Sequence, residues 1–264
     1  MSAAPELRIM DNGEELAREA AELFVWFGQQ AIRNDGRFRV ALSGGSTPKA
    51  LYAALRGATL STQLDWTGVE FYFSDERCVP PDHPESNFRL ANEGLFQPLR
   101  IGPDRVFRMP GEVGVPDQGA SQYEALIRER FAAPPPSWPG FDLILLGMGE
   151  DAHTASLFPG TPALEENKRL VVANVAPQGV TARLTLTARG INQARAVVFM
   201  VGGKSKAKAV QAVLNDRGKD HSVDDRRFPA RLIRPVAGRL IWLLDRAAAS
   251  ELTVAKQGIV SHEE

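Results

Sequence analysis

The feature that most constrains this chain is a set of short, uninterrupted apolar runs: LILL at 143–146, VVFMV at 197–201 and LIWLL at 240–244. A strand with one wet face alternates apolar and polar residues. A run without alternation has to be covered on both faces, the situation of parallel strands sandwiched between helices. Strand-like segments are expected at 38–43, 69–74, 141–147, 170–175, 183–187, 196–201 and 240–244. Helical periodicity lies between them. Leu16, Ala20, Leu23, Phe24, Phe27 and Ala31 recur at three- and four-residue spacing and form one stripe of an N-terminal helix. Further helices are expected after Pro48 and over 87–96, 120–131 and 206–214. Strands alternating with helices predict an α/β fold with a mainly parallel sheet.

The 264 residues suffice for one large domain or two small ones. The clearest composition break is AAPPPSWPG at 132–140. It reads as the loop that delivers the chain into the strand at Phe141 rather than as a linker, so residues 1–264 are expected to form a single domain. Residues 111–119 read as a second loop and 215–229 as a third, highly polar one. With 31 basic and 32 acidic residues the net charge is −1, so no global field favours nucleic acid or an anionic membrane surface. The single cysteine, Cys78, excludes an internal disulfide framework and a Cys-rich zinc site. It is expected to be a buried, inert thiol. No apolar run approaches the ~20 residues that span a bilayer. The N-terminus has no basic region followed by an apolar core, so no signal peptide is expected. These features predict a soluble, cytoplasmic protein.

In parallel sheets, ligands bind in the loops beyond the carboxyl ends of the strands. The first such loop is Ser43-Gly44-Gly45-Ser46-Thr47-Pro48. Its glycines permit close approach of a ligand, Ser46 or Thr47 could cap the helix that follows, and the helix N-terminus offers N–H groups to an anion. A capped turn with no ligand would look much the same, and the Walker A pattern is absent. The second loop is Ser74-Asp75-Glu76-Arg77-Cys78. Asp75 could orient a sugar hydroxyl or act as a base, and Arg77 could hold a carboxylate or phosphate by a two-pronged contact. A solvated turn is the plainer alternative. Ser86 or Asn87 is expected to cap the next helix, and His83 is expected to be solvent-exposed.

The third loop runs from Gly147 to Gly160, GMGEDAHTASLFPG. Gly147-x-Gly149-x-x-Ala152 formally matches a dinucleotide fingerprint, but the next strand carries no acidic residue to hold a ribose. His153 is more informative, because imidazole titrates near neutrality and Asp151 beside it could polarise the ring. The other histidines, His83, His221 and His262, form no HxxxH pair, which argues against a metal site. No GxSxG elbow is present, so Ser43, Ser46 and Ser156 lack a nucleophile signature. Arg183 opens a strand, and Lys206 follows Gly202-Gly203 at a helix start, where its charge opposes the dipole unless an anion is bound. A solvated lysine is the plainer reading there.

The segments ALSGGSTPKALY, FSDERCVPPDHPESNFRLA and LLGMGEDAHTASLFPG, followed by RLTLT, GGKSKA and PARLIRPVAGRLIWLLDRAAA, resemble the 6-phosphogluconolactonases in order and separation. The resemblance covers nearly the whole chain from Ser43 to Ala249, and HTASLFPG is its most specific part. It implies a Rossmann-like three-layer sandwich and hydrolysis of a phosphosugar lactone, 6-phospho-D-glucono-1,5-lactone, by a monomer without metal or organic cofactor. It implies that Ser43, Gly44, Gly45, Ser46 and Thr47 line the phosphosugar site and that Arg183 and Lys206 hold the phosphate. His153 resembles the catalytic histidine, with Asp151, Asp75 and Arg77 beside it. The family usually has Asp-Gly-His where this chain has Asp151-Ala152-His153, which matters if that position needs a positive φ. Sugar-phosphate deaminases and aldose–ketose isomerases share SGGSTP, with a carboxylate such as Asp75 as the proton-transfer group. A non-catalytic sugar-phosphate-binding regulator is the other alternative, although no DNA-binding segment accompanies it here.

Overall fold

The computed structural model describes residues 4–215 and 225–253. Six strands form the main sheet: β1 (Glu6–Met10), β2 (Phe38–Leu42), β3 (Val69–Phe73), β5 (Leu143–Leu146), β8 (Ala196–Val201) and β9 (Arg239–Asp245). Their order is β1-β9-β8-β5-β2-β3, and every neighbouring pair is parallel. All residues of β5 and β8 are buried, as their uninterrupted apolar composition requires. Three further strands, β4 (Asp75–Arg77), β6 (Val171–Val175) and β7 (Ala182–Leu186), form a separate antiparallel sheet in the order β4-β7-β6. The segments at 170–175 and 183–187 have no helix between them, and they pair with each other outside the main sheet.

The helices are α1 (Gly13–Asp35), α2 (Ser46–Leu55), α3 (Ala58–Ser61), α4 (Asn87–Ala91), α5 (Pro116–Arg130), α6 (Ala188–Ile191) and α7 (Ala207–Asn215). In α1 the predicted stripe faces the core: Leu16, Ala20, Leu23, Phe24 and Ala31 are buried. Asn12 caps α1 by accepting from the Glu14 and Glu15 amides, both at 3.0 Å, and Gly36 ends it at φ 70°. Helices α1 and α2 pack on each other and α1 on the main sheet, whereas α5 packs on β6 and β7. The helices thus lie on both sides of the sheet, the three-layer α/β arrangement that the alternating pattern predicts.

Several boundaries differ from expectation. Helix α5 begins at Pro116, four residues ahead of the expected start at 120. The expected loop at 111–119 is therefore shorter: Pro116 occupies the first helical turn, where its missing N–H costs nothing, and Gly119 lies inside the helix. The helix expected over 87–96 is α4 continued by a wider π turn, Asn92–Phe96. Residues 132–140 connect α5 to β5. Of the polar segment 215–229, residues 216–224 lie outside the described residues, as do His221 and His262. Among the described residues, no helix is long and apolar enough to cross a membrane.

Two devices place the site. Strand β2 is followed in the sheet by β3 on one side, while β5 and β8 lie on the other, so the chain changes direction between β2 and β5. A crevice opens at such a reversal. The second device is Ser74, the single residue between β3 and β4. Its N–H donates to Leu42 O in the main sheet (2.8 Å) and its carbonyl accepts from Leu186 N in the small sheet (2.8 Å). The chain thereby passes from one sheet to the other at the mouth of the crevice.

Candidate active site

The crevice is a cavity of about 630 Å³ at the carboxyl ends of β2, β5 and β8, walled by the small sheet. Every residue that the resemblance places in the site lines it: Ser43, Gly44, Gly45, Ser46, Thr47, Asp75, Arg77, Asp151, His153, Arg183 and Lys206. His83 does not line it; its Nδ1 accepts from the Glu85 amide at 3.2 Å.

The first loop delivers a helix end. Neither Ser46 nor Thr47 caps α2, contrary to expectation. The N-cap is Gly45, at φ 109°, which has no side chain to accept from the first amides. The N-terminus of α2 carries no acidic side chain either. Its N–H groups and positive dipole end are therefore available to an anion. Ser43 is not poised as a nucleophile: its hydroxyl donates to Leu145 O at 2.6 Å, tying β2 to β5.

The second segment is not a loop but strand β4, antiparallel to β7, with Asp75 opposite Thr185 and Arg77 opposite Arg183. Glu76 points away from the cavity and organises the following turn. It accepts from the amides of Arg77 (2.8 Å), Asn87 (2.7 Å) and Phe88 (2.8 Å) and from Ser86 Oγ (3.0 Å). Burial nevertheless raises its pKa despite these donors. Ser86, rather than Asn87, caps α4 by accepting from Arg89 N at 3.1 Å. Asp75 is buried and accepts from Ser156 Oγ at 2.6 Å and from Asn87 Nδ2 at 3.3 Å.

Arg77 and Arg183 supply concentrated positive charge. Arg183 is buried, and burial together with the neighbouring Arg77 lowers its pKa. The Nε atoms of both arginines are buried without a hydrogen-bond partner. Among the described residues, no hydrogen bond or ion pair engages the side chain of Arg183 or Lys206. Lys206 sits in the 3-10 turn Lys204–Lys206 just before α7, after Gly203 at φ 97°.

The third loop holds His153. Its Nδ1 lies 2.5 Å from Asp151 Oδ1, which also accepts the His153 amide at 3.1 Å. Partial burial works to raise the Asp151 pKa, but the hydrogen bonds and charge of His153 outweigh it and the net shift is downward. The ring packs on Phe158, with centroids 4.6 Å apart. Gly149 makes room for the pair, because a Cβ there would fall 2.1 Å from His153 Nδ1. This tight turn takes the place of the helix a dinucleotide fingerprint would require. Ala152 has φ 63° and is fully buried; Ala155 has φ 47°. The position at which the resembled family usually has glycine thus does adopt the left-handed conformation. The loop is closed by Gly149 N to His153 O (2.9 Å) and pinned to the small sheet by Asn174 Nδ2 to Ser156 O (2.8 Å). Among the described residues, no cluster of three or more His, Cys, Asp or Glu could hold a metal. The Cys78 thiol is half-buried, and burial raises its pKa to about 11, which keeps it protonated and inert.

Sequence reasoning missed Asn87 as a site residue and considered Ser156 only as a nucleophile. The signal available was weak: both follow segments of evident chemistry, but their partners are distant in sequence.

The chain matches the family described as glucosamine-6-phosphate isomerases/6-phosphogluconolactonase over residues 11–242. It is 38% identical over 248 residues to a 6-phosphogluconolactonase from Nostoc sp., covering 94% of this chain and 98% of that one. It is 37% identical over 254 residues to the Homo sapiens 6-phosphogluconolactonase, covering 94% of both chains. The structure superposes on 6-phosphogluconolactonase from Trypanosoma cruzi with a TM-score of 0.84, 31% identity and coverage of 96% of this chain and 99% of that one. A monomeric glucosamine-6-phosphate deaminase shares the fold at a TM-score of 0.75 and 24% identity, covering 93% and 99%. On sequence and fold together, the chain belongs to the glucosamine-6-phosphate isomerase/6-phosphogluconolactonase family.

Proposed function

We propose that this protein hydrolyses 6-phospho-D-glucono-1,5-lactone to 6-phosphogluconate in the oxidative pentose phosphate pathway, as a single-domain monomer of the cytoplasm. The observation that carries the reading is that one cavity brings together cationic groups and a histidine–carboxylate pair. Arg183, Lys206 and the uncapped N-terminus of α2 suit a dianionic phosphate. His153 and Asp151 suit the activation of water.

With Nδ1 donating to Asp151, the free lone pair of His153 is on Nε2. Nε2 takes a proton from water as the water oxygen bonds to C1 of the lactone. The carbonyl electrons move onto oxygen, and the tetrahedral oxyanion is stabilised by a donor such as Arg77. The carbonyl re-forms as the bond from C1 to the ring oxygen breaks, and the imidazolium returns its proton to that oxygen. The acid product then ionises. The route needs no metal, organic cofactor or covalent intermediate, in keeping with hydroxyls of Ser43 and Ser156 that already donate elsewhere.

The deaminase and isomerase readings would use Asp75 as the base. Its two oxygens already accept from Ser156 and Asn87, which favours the lactonase. The test is hydrolysis of freshly generated lactone, followed against its spontaneous rate with EDTA present. Rapid loss of lactone that H153A cannot sustain supports the reading. No acceleration over background, with turnover of glucosamine 6-phosphate or an aldose phosphate instead, overturns it.

A further inference from the structure

Asn87 sits where the first two site segments meet. It is 2% exposed and lines the cavity. Its Nδ2 donates to Asp75 O at 2.9 Å and to Asp75 Oδ1 at 3.3 Å. Two acceptors on that side fix the orientation of the amide, because an oxygen there would face only oxygens. Oδ1 must therefore point the other way, against Gly44. A Cβ on Gly44 would fall 1.8 Å from this oxygen, so glycine is required for the approach. Among the described residues, no donor reaches Oδ1.

An acceptor-only atom with no donor, at the wall of a polar cavity, calls for a donor from the ligand or solvent. It repels phosphate oxygens, which belong with Arg183 and Lys206. It suits a hydroxyl. Asp75 beside it is likewise an acceptor, so the two form an acceptor edge that adjoins the cationic groups.

We propose that Asn87 is a specificity-determining residue whose Oδ1 accepts a hydroxyl proton from the sugar chain of the substrate, while its Nδ2 holds Asp75 in place. This rests on the lactonase reading and adds the group that reads the polyol. Asn87 touches substrate but moves no proton in the reaction.

The test measures two affinities on the full chain: inorganic phosphate, which reports the cationic groups alone, and 6-phosphogluconate, which carries phosphate and hydroxyls together. Asn87→Ala should weaken 6-phosphogluconate and raise KM for the lactone by about tenfold. Its affinity for inorganic phosphate should stay within about twofold of wild type. Asn87→Ser, which keeps a small polar group too short to reach, should show the same split and serves if the alanine variant folds poorly. Parallel loss of both ligands would mean that Asn87 only shapes the loop at Gly44, and unchanged affinity for both would mean that it contacts nothing; either result overturns the proposal. A wild-type protein that binds phosphate but neither binds 6-phosphogluconate nor hydrolyses the lactone overturns the lactonase reading, and the polyol assignment with it.

Discussion

Arg77 and Arg183 lie directly opposite each other on antiparallel neighbours, β4 and β7, and each has a buried Nε without a partner. Like charges in opposed positions destabilise a sheet, and burial adds to the cost. The arrangement is intelligible if anionic groups of a ligand normally sit against them. Inorganic phosphate should therefore raise the melting temperature, by the equivalent of about 2.7 kcal/mol at a hundredfold excess over its Kd. Arg183→Met, which keeps the aliphatic stem, should raise the stability of the free protein by about 1 kcal/mol and remove most of the phosphate effect. Thermal melts with and without phosphate check both statements. A free Arg183→Met protein less stable than wild type would contradict the first.

His153→Ala should lower kcat for lactone hydrolysis by about 100-fold or more, with KM little changed. Asp151→Asn should lower kcat by a smaller factor, since the ring remains but loses the carboxylate that orients it. Steady-state rates corrected for spontaneous hydrolysis decide this. An alanine variant with wild-type kcat would remove His153 from the mechanism.

Gly147 and Gly149, at the start of the third loop, should behave oppositely. A methyl group on Gly149 collides with His153 Nδ1 and with Asp151 Oδ1 at 2.5 Å, whereas nothing lies within 4 Å of a Cβ on Gly147. Gly149→Ala should cost about tenfold or more in kcat by separating the pair. Gly147→Ala should stay within about twofold of wild type. Equal losses would show that backbone freedom, rather than the space beside His153, is what the loop requires.

Ala152 raises a question of compensation. The left-handed conformation costs a non-glycine residue about 1–2 kcal/mol. Its buried methyl group returns about 0.8 kcal/mol, and glycine there would lose about 0.5–1 kcal/mol in backbone entropy. Ala152→Gly should therefore change unfolding free energy by less than about 1 kcal/mol, read from urea denaturation. A loss above 2 kcal/mol would mean that the methyl group packs more tightly than these terms allow.

Glu166 provides a pH test of stability. Burial opposes its ionisation, but the amides of Lys168 and Arg169 and the Arg169 guanidinium together hold its pKa down to about 2. The folded pKa lies below the ordinary value of 4.5, so the carboxylate stabilises the fold above that value and the contribution is lost as pH falls towards about 2. Glu166→Gln should be less stable than wild type by about 1 kcal/mol at pH 7, with the gap narrowing through that window. A gap independent of pH would assign the effect to packing.

Much of the fold is legible in local sequence. LILL in β5 and VVFMV in β8 announce burial on both faces, and the stripe from Leu16 to Ala31 announces α1. Strand β1 is not legible, because Glu6 and Arg8 interrupt it and its partner β9 is more than two hundred residues away. Arg8 pairs with Glu19 and Glu6 with Arg239, so the charges sit on a sheet edge, where they are tolerated. Strand β4 is not legible either. Three charged residues read as a turn, and only their pairing with the distant strand β7 makes them a strand.

The sequence by itself determined the class of fold and the loops that carry the chemistry. Both follow from local composition: apolar runs demand cover, and glycine, histidine and charge at strand ends have few structural uses. Only the tertiary structure decided how those loops meet. It set Arg77 against Arg183, aimed Asn87 at Gly44 and Asp75, and left α2 without a side-chain cap. Those relationships depend on strand register and on contacts between segments far apart in the chain, and no window of sequence contains both partners.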